Sequence, residues 1–272
     1  MRFLALFPVA LAGYALALPS PRPEELARRN WPSVTTFLSK VAAVFPASVL
    51  VEDACGLITA GERTVAIVFG IPSSENDACG DVTVLWARGT CDPGNVGVLT
   101  APWFFKALDS VVRASGRSLG VQGLDYPASV EGYLTGSEGP GQDLLVLLVP
   151  YTYMYRRGRV LTCPHNSADL VRNTVAECPD TKLVLGGYSQ GGMVVHNAAA
   201  DLDAGTMSKV SAVVIFGDPY SAQAVANIDA SRVKIICHGG DNICDNGPLI
   251  LLPHLTYAED AGAAASFVMS QI

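Results

Sequence analysis

Apolar residues along this chain change period as the sequence proceeds, and the period names the element. Phe37, Leu38, Val41, Val44 and Phe45 recur at helical spacing, which predicts a helix over residues 35–51. Residues 53–70 suit helix or strand equally. Thereafter short apolar runs alternate with helical segments. Strands are predicted at Val82–Trp86, Leu119–Leu124, Lys182–Gly187, Val210–Phe216 and Val233–Ile236. Helices are predicted at Trp103–Val112, Ala168–Ala176, Met193–Leu202 and Asp260–Met269. Strands that are almost wholly Val, Ile and Leu belong to a parallel sheet covered on both faces. No repeat or linker divides residues 33–272, so one α/β domain is expected there.

The first 17 residues follow a different pattern. Arg2 precedes an apolar run that ends in Ala15-Leu-Ala17, the small-x-small signature of a cleaved secretory signal. Residues 18–32 are rich in Pro and Arg and read as an N-terminal arm or pro-segment. The other marked apolar run, Leu144–Val149, is stopped by Pro150 far short of a bilayer span. A secreted chain without integral membrane association is therefore expected. With 18 basic and 25 acidic residues the chain carries −7, and loss of Arg2 makes it one unit more negative. That excess argues against a nucleic-acid partner. Seven cysteines, an odd number, are expected to form disulfides in an extracellular setting.

Chemistry concentrates at Gly187-Tyr-Ser189-Gln-Gly191, a G-x-S-x-G between a predicted buried strand and a predicted helix. That context is the one a nucleophile elbow requires. A serine hydroxyl needs a base to accept its proton. His196 lies two turns along the same helix and cannot reach back, and His165 precedes the nucleophile, against the Ser…Asp…His chain order of this architecture. His238 and His254 remain. The orienting acid should end a later strand and precede the base. Asp241 satisfies this with His254; Asp218, read as a turn or packing residue, ranks second. Cys237 and Cys244 bracket Asp241, and a disulfide there would remove roughly 2–3 kcal/mol of unfolded-chain freedom. They lack the further ligands a zinc site needs, so no metal is expected.

Four stretches resemble the cutinase family of secreted fungal serine esterases: Cys79–Asn95, Cys178–Gly192, Cys237–Cys244 and Pro253–Tyr257. The resemblance implies a three-layer α/β-hydrolase-like fold, with a mostly parallel five-stranded sheet, helices on both faces and no large lid. It implies Ser189 as nucleophile, His254 as base and Asp241 as orienting acid. It further implies an oxyanion hole from Thr90, by hydroxyl and backbone N–H, and from the Gln190 backbone N–H. Ile250 and Leu255, within the apolar stretch around His254, would line an open groove for an acyl chain. The implied disulfide is Cys79–Cys178, worth roughly 4.7 kcal/mol for so long a loop. Cys55–Cys91 is the further candidate pair.

Cutin or another lipophilic ester is the implied substrate, with no cofactor, and a monomer is expected. Rival readings are an acetylxylan-type carbohydrate esterase and a catalytically silent secreted binder. The apolar run at 249–252 disfavours the first; the complete set of candidate catalytic groups disfavours the second. Residues 144–164, with Cys163, match nothing in the family. They read as a surface insertion or as translated non-coding sequence.

Overall fold

The computed structural model describes residues 31–136 and 167–272. The signal, most of the arm, residues 144–164, Cys163 and His165 lie outside the described residues. Five strands form one parallel sheet in the order β3-β2-β4-β5-β6. They are β2 (Val82–Ala87), β3 (Leu119–Gly123), β4 (Lys182–Tyr188), β5 (Val210–Phe216) and β6 (Val233–Ile236). A separate antiparallel pair joins β1 (Ser48–Leu50) to β7 (Leu249–Leu251).

Strand side chains alternate between faces, so each strand feeds two cores. Val82, Val84 and Trp86 of β2 pack under α3 (Ala101–Ala114) and the C-terminal helix α8 (Ala261–Gln271), with Phe104, Leu108, Ala264 and Val268. Leu85 and Ala87 point the other way. They meet α5 (Ser167–Glu177) and α6 (Gln190–Asp201) through Val171, Val194, Val195 and Ala198. Burying each Val, Leu or Phe among these contributes about 1.5–3 kcal/mol. Two further short helices, α4 (Val130–Thr135) and α7 (Ala204–Met207), connect elements. The expected three-layer α/β architecture is present.

The N-terminal segment departs from its expected form. Helix α1 covers Val34–Val44 and ends well before residue 51. Ser33 caps its start, accepting a hydrogen bond from Thr36 N–H at 3.2 Å. Pro46 cannot continue the helix, and the chain leaves as β1. The ambiguous segment 53–70 is helix α2 (Ala54–Phe69), closed by Gly70 in the left-handed region. Helices α1 and α2 do not cover the sheet. Their Phe37, Val41, Ile58 and Val65 join a third core with Trp103, Met193, Ile250 and Leu255. That core lies among the loops that follow the strands, where α/β folds build their sites.

Among the described residues three disulfides form: Cys55–Cys91, Cys79–Cys178 and, within the loop after β6, Cys237–Cys244. Among the described residues, no helix is long and apolar enough to cross a membrane.

Candidate active site

Strand β4 delivers Ser189 into a sharp turn before α6, at φ 56° and ψ −122°. A non-glycine residue held there costs of order 1–3 kcal/mol, a conformation typical of functional turns. Neighbouring bonds fix it: Ser189 N–H donates to Phe216 C=O at 2.9 Å, and Gly192 N–H to Ser189 C=O at 2.8 Å. Position 191 admits only glycine. A Cβ there would stand 2.0 Å from Ala87 C=O.

His254 sits on the short helical turn Leu252–Leu255, beside this elbow. Its ring stacks on Tyr188 at 5.0 Å between centroids. On the other side lies Gly217, where a Cβ would stand 2.7 Å from His254 Cε1. Tyr188 and Gly217 each adjoin a residue of the Ser189–Phe216 hydrogen bond, so the imidazole is held at the serine's backbone. The Tyr188 hydroxyl donates to His254 C=O at 2.8 Å.

Asp241 meets His254 Nδ1 through Oδ2 at 2.8 Å. The same oxygen accepts the Tyr257 hydroxyl at 2.5 Å, and Oδ1 accepts Ile243 N–H at 3.0 Å. Burial alone would raise this carboxyl. The hydrogen bond and charge of His254, then Tyr257 and Ile243, outweigh burial and hold it below the usual carboxylate range. Burial and the Asp241 carboxylate push the Tyr257 phenol far above its ordinary value, so it stays a donor. The other ring nitrogen of His254, Nε2, is buried without a hydrogen-bond partner.

Asp218 points elsewhere. Its Oδ2 lies 2.9 Å from His196 Nε2, and its Oδ1 accepts Tyr220 N–H. The structure thus brings Asp241, and not Asp218, to His254. It also pairs the helix histidine that sequence spacing set aside.

Thr90 lies in the loop after β2, and its hydroxyl donates to Gln190 Oε1 at 3.1 Å. Gln190 is the first residue of α6 and fully buried. Arg88 anchors that loop. Its guanidinium donates to Leu124, Tyr126 and Asp92 carbonyls, and Tyr126 donates its hydroxyl back to Arg88 C=O. Cys91 joins the loop to α2 by its disulfide, and Thr59 of α2 donates to Cys91 C=O at 2.7 Å.

The comparisons with known proteins complete this picture. The Cutinase family profile matches residues 78–272. A cutinase of Hypocrea jecorina is 53% identical over 269 residues, covering 99% of this chain and 98% of its own. This chain belongs to the cutinase family. Cutinase cut1 of Trichoderma harzianum is likewise 53% identical, over 98% of both chains. A solved Trichoderma reesei cutinase, bound to a C11Y4 phosphonate inhibitor, shares 51% identity. It superposes with a TM-score of 0.67 over 89% of this chain and 99% of its own. The chain is a carboxylic ester hydrolase of this serine-esterase family.

The resemblance implied an open groove around the site. Ser189 is 5% exposed and His254 1%, and α2 is fastened against the Thr90 loop. Ile250 and Leu255, the implied groove residues, are 6% and 2% exposed and belong to the third core. Ile250 faces inward because it pairs with Val49 across the β1–β7 ladder. Leu252, 40% exposed, is the most exposed residue of that run.

Sequence reading gave no role to Tyr257, Arg88 or Glu62. Tyr257 stands three residues after His254 and could have been found by asking what satisfies a buried carboxylate. Glu62 and Asp92 carried no such signal, because only the fold brings them together. Glu62 of α2 is fully buried beside Asp92 of the Thr90 loop. Burial first, and then the Asp92 charge, hold the Glu62 carboxyl protonated well above its usual range. Burial also pushes Asp92 up to about 6, against the Gly89 N–H and the charges of Arg88 and His254.

A raised folded-state pKa means the native state holds more protons than the unfolded chain above the ordinary carboxylate range. Stability therefore falls as pH rises through that window. Glu62→Gln removes one such proton, so the variant is expected to outlast the parent at pH 8. The gap should widen by up to about 1.4 kcal/mol per pH unit above the ordinary Glu value. Urea midpoints at pH 4, 6 and 8 check this, and parallel curves would contradict it.

Proposed function

We propose that this chain hydrolyses cutin and other lipophilic esters by way of a Ser189 acyl-enzyme. The observation that carries the reading is the Asp241–His254 pair, whose outer nitrogen is left unpaired on a ring stacked against Tyr188, the residue before the elbow serine. His254 Nε2 takes the Ser189 Oγ proton as Oγ bonds to the ester carbonyl carbon. The carbonyl electron pair moves to oxygen, where the Gln190 and Thr90 N–H groups and the Thr90 hydroxyl receive it. Collapse expels the alcohol, which leaves with the proton from His254. Water repeats the path and frees the acid. Asp241 stays ionised throughout and orients the imidazole.

The Thr90 hydroxyl hydrogen-bonded to Gln190 Oε1 supports this placement. The hydroxyl stands at the helix start, and its single proton must turn from the Gln190 amide oxygen to the oxyanion. The apolar exposed Leu252 and the names of the 53%-identical relatives support a lipophilic acyl group and cutin. Secretion of the processed chain accords with its N-terminal sequence and its disulfides. Parallel assays on p-nitrophenyl butyrate, p-nitrophenyl palmitate, acetylated xylan and cutin test the substrate class. Release of cutin monomers with little acetate from xylan is expected. Deacetylation of xylan exceeding butyrate hydrolysis would overturn the reading.

A further inference from the structure

His238 follows β6 and Cys237, next to the Asp241 loop, and no step of the ester hydrolysis uses it. It is partly buried, its side chain 17% exposed. Its Nδ1 lies 2.8 Å from Pro253 C=O, the peptide that leads into His254. Its Nε2 lies 2.6 Å from Asp260 Oδ2 and 3.5 Å from Glu259 Oε1. Thr256 Oγ1 lies 3.1 Å from the same Nδ1, so both ring nitrogens are engaged. The ring also stacks on Tyr257, at 4.1 Å between centroids and 25° between planes. The His238 backbone N–H donates to the Tyr257 hydroxyl oxygen at 3.0 Å, and that hydroxyl donates to Asp241 Oδ2.

One side chain therefore touches the backbone of the candidate base and the donor that steadies the candidate acid. We propose that His238, braced by Asp260, is a positioning residue that sets the alignment of His254 and Asp241. The proposal rests on the triad reading above. Pro253 C=O is held from one side by His238 and Thr256 Oγ1, while Tyr188 holds His254 C=O from the other. The His254 turn is clamped at consecutive carbonyls. Releasing the Pro253 clamp lets the imidazole drift, and small misplacement of a catalytic group is costly in rate. His238 touches no substrate in this scheme, so the effect belongs to kcat.

The test uses the full chain with His238→Ala, His238→Asn and Asp260→Asn, beside Ser189→Ala as a blank. Asn places an amide nitrogen near the position of Nδ1 and can keep the bond to Pro253. His238→Ala is expected to lower kcat on p-nitrophenyl butyrate about 10- to 100-fold, with KM within twofold. His238→Asn should recover most of kcat, and Asp260→Asn should lose a few-fold. If His238→Ala fails to fold, the Asp260→Asn and His238→Asn values decide. Unchanged kcat in the Asp260 variant, equal losses in the two foldable His238 variants, or a loss confined to KM would overturn the proposal. Those results with an inactive Ser189→Ala would sink the positioning role alone. An active Ser189→Ala would sink the triad reading beneath it.

Discussion

Ser189→Ala is expected to lower kcat roughly a million-fold while leaving the protein folded. Removing the nucleophile of a hydrolytic triad costs that much, because base and acid then have nothing to activate. The residual rate comes from substrate binding and the oxyanion donors. Alanine at 189 must still adopt the φ of 56°, so the strain remains and the thermal midpoint should scarcely move. The backbone bonds to Phe216 and Gly192 do not involve the hydroxyl and survive. Steady-state hydrolysis of p-nitrophenyl butyrate, with circular dichroism of the same sample, reads both quantities. Activity within tenfold of the parent would mean that the elbow serine is not the attacking group.

Asp241→Asn is expected to lower kcat about ten-thousand-fold. The carboxylate accepts from His254 Nδ1 and thereby fixes the tautomer that leaves Nε2 with its lone pair. An amide can turn its NH2 toward Nδ1 and stabilise the opposite tautomer, which has no lone pair for the serine proton. The Tyr257 hydroxyl would lose a charged acceptor as well. Stability should respond with a defined sign. Asp241 is held below the ordinary carboxylate range, so its contribution is present above that range and lost as pH falls through the folded-state value. The variant should be less stable than the parent at pH 7, and the difference should shrink toward pH 2. Thermal midpoints at pH 2, 4 and 7 measure it. A gap that grows on acidification would contradict the assignment.

The sheet and its flanking helices were legible because both signals are local. Val82–Trp86 and Val210–Phe216 are too apolar to be anything but buried strand, and the G-x-S-x-G lay where strand meets helix. Chain order then narrowed the histidines to His254. The N-terminal region was less legible. Pro46 was the stop signal that should have ended α1 early. In α2 the period is blurred by Gly56, Gly61 and polar Glu62, since that helix buries a face against loops and not against the sheet. An apolar residue beside a catalytic one is as well explained by core, and Ile250 and Leu255 both belong to the third core. Tyr257, His238 and the Glu62–Asp92 pair act through contacts across loops, for which sequence spacing carries no information.

The central claim is that Ser189 is the residue made nucleophilic by this fold. Reaction of the intact protein with a fluorophosphonate, followed by peptide mass mapping, tests it most directly. The account predicts one adduct per chain, on Ser189, and none in Ser189→Ala. An unlabelled chain, or an adduct on any other residue, would contradict it.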